Sequence, residues 1–283
     1  MIFLVTAAVI WGIAFVAQSV GTDFVPGFTF NGIRFILGGL VLLPYIWFFR
    51  KKAIVKTSRK DFLISGLLCS LCLFGAANLQ QQGMKYTSAG KAGFITTFYI
   101  VIVPVIGVFL GKKITKRIVA AVALAFVGLY LLCITDTFTV SKGDWLIFGA
   151  AIIFSVHILV IDYFSDRVDG VRLSCTQFLV CGILSMLIAL FFEEPNMGGI
   201  MMARIPILYT GIMSCGVAYT FQILGQKKVN PTIASLILST EACVSVLAGW
   251  LILGEQLSSK EFIGCIVMLG AVVLAQLPKR KMA

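Results

Sequence analysis

The sequence predicts an all-α membrane protein of ten transmembrane helices, arranged as two inverted five-helix repeats. Three observations predict it. Of 283 residues, 59% are hydrophobic and only 12% are charged, about half the charged share of an average soluble domain. The apolar residues gather into ten runs of membrane-spanning length. A single shift of 143 positions lays the second half over the first without a gap.

A helix needs about 20 apolar residues to cross the hydrocarbon core. The first five runs are 2–20, 26–49, 62–82, 89–110 and 118–135. The second five are 144–161, 174–192, 205–225, 232–253 and 262–278. Their connections are too short for a soluble domain of useful size. The first run has no basic segment before it, and nine similar runs follow, so it reads as a retained helix rather than a signal peptide.

The formal charge of +11 does not indicate nucleic acid. The basic residues sit in short turns, with no basic stripe interleaved with aromatics. Their distribution predicts orientation instead. With the N-terminus inside, 17 Lys and Arg fall in cytoplasmic segments (50–60, 112–117, 167–172, 227–228 and 279–281) and 5 outside (Lys85, Lys91, Lys142, Arg204 and Lys260). Both termini are therefore expected in the cytoplasm, in a bacterial-type inner membrane. The 8 cysteines lie inside apolar runs and read as small hydrophobes. Cys69 and Cys72 lack a second ligand pair, so no metal is expected, and no cofactor.

The repeat pairs Ala7–Ala8 with Ala150–Ala151, Asp23 with Asp166, Gly39 with Gly182, Thr97 with Thr240, and Gly111 with Gly254. It divides the chain into units 1–140 and 141–283. Five spans per unit reverse the second relative to the first. Inverted repeats place a substrate site near the midplane, between the halves.

Several motifs point to a family. They are Ala8-Val-Ile-Trp-Gly12, Arg34-Phe35, Tyr86-Thr-Ser-Ala89 leading into Phe94-Ile95 and Pro104, the run from Pro231 to Glu241, and Gly249-Trp-Leu-Ile-Leu-Gly-Glu255. Over essentially the whole chain the sequence resembles the EamA-type ten-helix branch of the drug/metabolite transporter superfamily. The resemblance implies export of amino acids or other small metabolites and drugs. One departure stands out. The family usually carries proline after the glutamate of the ninth helix, and Ala242 is found here, so a less kinked ninth helix is expected. Glu255 is expected to tie the turn after that helix.

An ionisable residue at mid-helix costs about 2.5–3.5 kcal/mol on insertion scales, so such residues are expected to face the bundle interior. Glu241 lies roughly 13 Å into the ninth run at 1.5 Å per residue. Burial without a cation favours the protonated form of a carboxyl, which suits a residue that exchanges a proton for a substrate ammonium. The alternative is a structural carboxylate paired with His157 or Arg34. His157, the sole histidine, either shares a proton with Glu241 or simply packs. Arg34, roughly 12 Å into the second run, holds a substrate carboxylate or locks helix carbonyls. Lys91 is expected to snorkel.

Asn78, Gln81, Gln82 and Lys85 fall on one face of the third run, lining a path or bonding helix to helix. Trp11, Phe15 and Gln18 form a similar face on the first. The candidate substrate contacts are Trp11, Gln18, Arg34, Asn78, Gln82, Tyr99, His157 and Glu241, with Glu241 and His157 as coupling candidates. Under the repeat, Glu241 aligns with Phe98, His157 with Ala14, Arg34 with Gln177 and Lys91 with Ala234. None has an ionisable mate, as suits contacts to one asymmetric substrate.

The expected function is secondary transport of a small molecule from within the lipid bilayer, as a monomer or homodimer. The alternative is a flippase for a lipid-linked intermediate. No Walker motif is present, so ATP is not expected as the direct energy source. Nor is there HExxH, a carboxylate pair or a nucleophile–base pair at helical spacing, and an enzyme is not expected.

Overall fold

The computed structural model describes residues 1–48, 57–112, 114–133, 141–227, 229–254, 256 and 258–277. Glu255, Lys228 and the basic residues at 50–52, 56, 113 and 279–281 lie outside the described residues.

In chain order the helices are α1 (Ile2–Thr22), α2 (Gly27–Phe48), α3 (Arg59–Gly83), α4 (Ala89–Thr96), α5 (Tyr99–Phe109) and α6 (Lys116–Cys133). They continue with α7 (Lys142–Phe164), α8 (Gly170–Phe192), α9 (Met197–Met202), α10 (Arg204–Leu208), α11 (Thr220–Gln226), α12 (Pro231–Leu238), α13 (Glu241–Ala248) and α14 (Ser259–Gln276). Wider π-helical turns join α10 to α11 (Tyr209–Tyr219) and follow α13 (Gly249–Leu253). Among the described residues, eight segments are long and apolar enough to cross a membrane. Phe109, Phe191 and Phe192 are each more than 80% exposed, and apolar side chains displayed on this scale need a lipid surface.

Local chemistry sets the boundaries. Several helices begin earlier than the apolar runs suggest, and polar caps mark the starts of two of them, α7 and α8. Ser141 and Asp144 form a capping box at the start of α7, and the Asp169 side chain accepts from the Arg172 amide at 2.9 Å to start α8. Such caps satisfy amides that lack intrahelical partners. The short α9 was not foreshadowed in the sequence.

The fourth and ninth apolar runs are each broken in the middle. In the first, the Thr97 hydroxyl donates back to the Phe94 carbonyl at 2.8 Å and the Phe98 amide bonds Ile95 O at 3.2 Å. In the second, the Ser239 and Thr240 hydroxyls donate to the carbonyls of Leu236 and Ile237 at 2.8 and 2.7 Å. Hydroxyls bonding back to carbonyls one turn earlier tighten and bend helices. The ninth run is therefore interrupted even with Ala242 in place of proline.

Elements recur at the repeat spacing. α6 and α14 begin and end 143 positions apart. Gly111 and Gly254, also 143 apart, both adopt left-handed backbone, with φ of 77° and 70°, where a side chain would be strained. The most extensive packing joins α2 to α8, α6 to α14 and α3 to α7, while α1 lies against α13 and the Tyr209–Tyr219 stretch. Every one of these contacts crosses from residues 1–140 to residues 141–283.

Candidate functional site

Where α1 meets the two broken helices, side chains line a cavity of about 50 Å³. Trp11, Phe15 and Gln18 of α1 line it, as do Arg34, Gln80, Thr96 and Tyr99. From the second half come Phe154, His157, Ile158, Ser214, Tyr219, Gln222, Leu238 and Glu241. The volume suits roughly three to five waters at ~10–15 Å³ each, and is well below the ~300–1,000 Å³ of a ligand pocket.

Helix breaks place the two most telling side chains. Tyr99 opens α5 directly after the first break, and Glu241 opens α13 directly after the second. The Tyr99 hydroxyl donates to Glu241 Oε1 at 2.7 Å. Glu241 is 4% exposed. Among the described residues, ion pairs join Lys91 to Asp144 and Lys112 to Asp162, and neither Glu241 nor Arg34 has an oppositely charged partner within 4 Å. The alternative pairing of Glu241 with His157 or Arg34 is not seen among the described residues; a phenol meets the carboxyl instead.

Arg34 is held through its guanidinium Nε and the face of an aromatic ring. Its Nε donates to Asn31 Oδ1 at 2.8 Å, and its guanidinium carbon lies 4.8 Å from the centre of the Phe35 ring. This arrangement leaves the charge at the cavity wall without neutralising it. His157 Nε2 lies 2.9 Å from Gln177 Oε1, and Gln177 is the residue that the repeat aligns with Arg34. Tyr219 is the aromatic hub: its ring lies 4.6 Å from Trp11, 5.8 Å from Phe178 and 6.3 Å from His157.

Six of the eight nominated contacts, Trp11, Gln18, Arg34, Tyr99, His157 and Glu241, come together on this cavity. Asn78 and Gln82 do not. Asn78 accepts from Asn31 Nδ2 at 2.9 Å and donates to Ser185 Oγ at 2.8 Å, which ties α3 to α2 and α8. Gln82 donates to Glu193 Oε1 at 3.4 Å. The α3 polar stripe thus bonds helix to helix, and the neighbouring Gln80 reaches the cavity, donating to the Thr96 hydroxyl at 2.9 Å. Lys91 does not snorkel: its ammonium meets Asp144 Oδ2 at 2.6 Å.

Gln80, Thr96, Ser214, Tyr219 and Gln222 were not foreseen. Gln222 carried a readable signal, a lone amide within an apolar run, as Gln18 did. Ser214 and Tyr219 depend on the π-helical turn, which apolar periodicity does not announce. A second cavity of about 300 Å³ lies between α4 and α7, lined by Lys91, Phe94, Ile95, Phe98, Asp144, Trp145 and Phe148. Among the described residues no cluster of three His, Cys, Asp or Glu stands ready for a metal.

Comparison with known proteins agrees with this architecture. An Uncharacterized transporter of Archaeoglobus fulgidus is 30% identical over 280 residues, spanning 97% of this chain and 84% of that protein. The Uncharacterized transporter YoaV of Bacillus subtilis is 22% identical over 95% of this chain and 93% of its own length. A WAT1-related chloroplastic protein of Arabidopsis thaliana is 24% identical, covering 98% of this chain and 69% of its own. One solved crystal structure shares the fold with a TM-score of 0.81, over 97% of this chain and 95% of that one, at 19% identity. The profile of one family matches twice in succession, over residues 1–134 and 141–277. A helical bundle of apolar segments, a cavity lined from both halves and this doubled match lead to one conclusion: the chain belongs to the EamA-like transporter family and is a membrane transporter of that type.

Proposed function

We propose that the protein carries a small polar or zwitterionic metabolite across the membrane by alternating access, with the cavity around Arg34 and Glu241 as the substrate site. One observation carries this reading. A buried guanidinium and a buried carboxyl group line one cavity, neither has an ionic partner within 4 Å among the described residues, and one comes from each half of the chain. An unpaired charge in the membrane interior is costly. A substrate bearing a carboxylate for Arg34 and an ammonium for Glu241 would offset both.

In this reading residues 1–140 and 141–283 are the two moving units, of opposite orientation, with α6 and α14 completing ten spans. Both termini lie on the cytoplasmic side of the inner (plasma) membrane, and net transport is outward. The small volume of the cavity supports a site that widens as the halves part. Glu241 is the coupling residue: a proton and a substrate cation compete for its carboxylate, with His157 on the same wall.

The test is a flux panel in proteoliposomes, with amino acids, amines and nucleosides offered with and without a pH gradient. Counterflow of at least one polar solute, lost on Arg34→Gln, is the expected result. Flux of nothing, together with tight binding of a lipid-linked intermediate, would replace this reading with lipid flipping.

A further inference from the structure

The cavity has a chemical bias beyond its two charges: its unused buried polar atoms are acceptors. Gln18 Nε2 donates to the Ala14 carbonyl at 3.2 Å, which fixes the amide orientation and leaves Oε1 buried with no donor among the described residues. Gln222 Oε1 is likewise buried without a partner among them. With the His157 Nε2 hydrogen directed to Gln177 Oε1, Nδ1 is a lone-pair acceptor, and it too is buried without a partner among the described residues. Gln18, His157 and Gln222 are 4%, 1% and 2% exposed. All three line the same cavity as Glu241, whose Oε1 already accepts from Tyr99.

Buried acceptors without donors are costly and rare, and three on one small cavity leave a site complementary to a donor-rich cation. A primary ammonium carries three N–H donors in tetrahedral directions. A quaternary ammonium carries the same charge and no donor. It would meet Glu241 and leave the amide oxygens and the imidazole unsatisfied.

We propose that the cavity selects ligands with a primary or secondary ammonium group, held by Glu241 together with Gln18 Oε1, Gln222 Oε1 and His157 Nδ1, and excludes quaternary ammonium ions. This rests on the reading of the cavity as the substrate site and adds the donor count of the ligand to it.

The full chain, reconstituted in lipid nanodiscs, is melted at constant ionic strength with methylammonium, tetramethylammonium or sodium chloride. Methylammonium is expected to raise the melting temperature with saturation, and the other two to leave it unchanged. Gln18→Leu and Gln222→Leu are each expected to weaken methylammonium binding about tenfold, the scale of one hydrogen bond to a charged group. The melting temperature of each variant without added amine is measured first, which separates a folding defect from a loss of methylammonium binding. Equal stabilisation by tetramethylammonium would overturn the donor requirement. Equal stabilisation by sodium would make this an oxygen-lined metal-cation site instead, and stabilisation by none of the three would remove the cation site altogether. If amine-free solutes are transported while methylammonium fails to bind, the transport reading stands and this inference falls.

Discussion

The Tyr99 hydroxyl donates to Glu241 Oε1 at 2.7 Å across 142 positions of sequence, and each of the two residues opens a helix directly after a break in the middle of an apolar run. The two breaks are repeat mates, yet their side chains are not. Glu241 aligns with Phe98, and Tyr99 aligns with Ala242. A near-symmetric backbone therefore delivers an asymmetric acid–phenol pair to the cavity.

Glu241→Gln keeps the shape of the side chain and removes its charge. Initial transport rates of an amine-bearing substrate are expected to fall about tenfold or more, the cost of losing a charge-assisted contact. The sign of the pH effect follows from competition between proton and cation for one carboxylate. Wild-type flux should decline as pH is lowered, while the variant should be flat between pH 6 and 8. A variant that matches wild type in both rate and pH profile would remove Glu241 from the mechanism.

Tyr99→Phe deletes a single buried hydroxyl. A hydrogen bond to a charged group contributes about 1.5–3 kcal/mol, and a loss of this size should appear as a lowered melting temperature. Combined with Glu241→Gln in a double-mutant cycle, the two changes should be less than additive, because both break the same contact. Strict additivity would mean that the contact does not form in the membrane.

Much of this was legible in the sequence because membrane helices announce themselves by length and apolarity. The repeat, the ten apolar runs and the cavity residues Trp11, Gln18, Arg34, Tyr99, His157 and Glu241 could be read from it. Asn78 and Gln82 lie away from the cavity, because periodicity identifies a polar face but not what the face meets; theirs meets Asn31, Ser185 and Glu193. The break in the ninth run carries no proline to announce it; Ser239 and Thr240 bend the chain with their hydroxyls, which bond back to Leu236 and Ile237. Tyr219 was missed because its place in the cavity depends on a wide helical turn with no periodic signature.

Two ion pairs pin α7 to the α4–α5 pair, Lys91 to Asp144 at one end and Lys112 to Asp162 at the other. Asp144 does double duty, since its Oδ2 also accepts from the Ser141 amide at 2.7 Å in the capping box. Asp144→Ala should therefore be more destabilising than Lys91→Ala, by about the ~1 kcal/mol of a lost helix cap. The ion pair itself is partly exposed and contributes about 0–1 kcal/mol. Thermal melting of the two variants side by side checks the order; equal losses would show that the cap contributes nothing.

Orientation is tested with reporter domains fused after Ala283, one active only in the cytoplasm and one only outside. The 17-to-5 imbalance of basic residues predicts activity of the first alone. Because that imbalance rests largely on the segments at 50–60 and 112–117, replacing their Lys and Arg by Gln should produce mixed orientation. Activity of the outside reporter in the unmodified chain would reverse the assignment.

Gly12 sits where α1 crosses α13. A methyl group added there would lie 2.8 Å from the Glu241 carbonyl oxygen and 2.6 Å from Val244 Cγ1. Backbone cannot yield at that distance as a flexible side-chain tip would, so Gly12→Ala must push α1 off α13 and move Glu241 with it. Overpacking of this kind costs about 1–3 kcal/mol, and transport should fall further than stability does because the displaced residue lines the cavity. Gly270 is the control: nothing among the described residues lies within 4 Å of a methyl added there. Gly270→Ala should raise the melting temperature slightly, since alanine is favoured over glycine in a helix interior by roughly 0.5–1 kcal/mol, and should leave flux unchanged. If Gly12→Ala transports as wild type does, the α1–α13 crossing is looser than drawn, and the site must tolerate a shift of Glu241 that the Tyr99 hydrogen bond argues against.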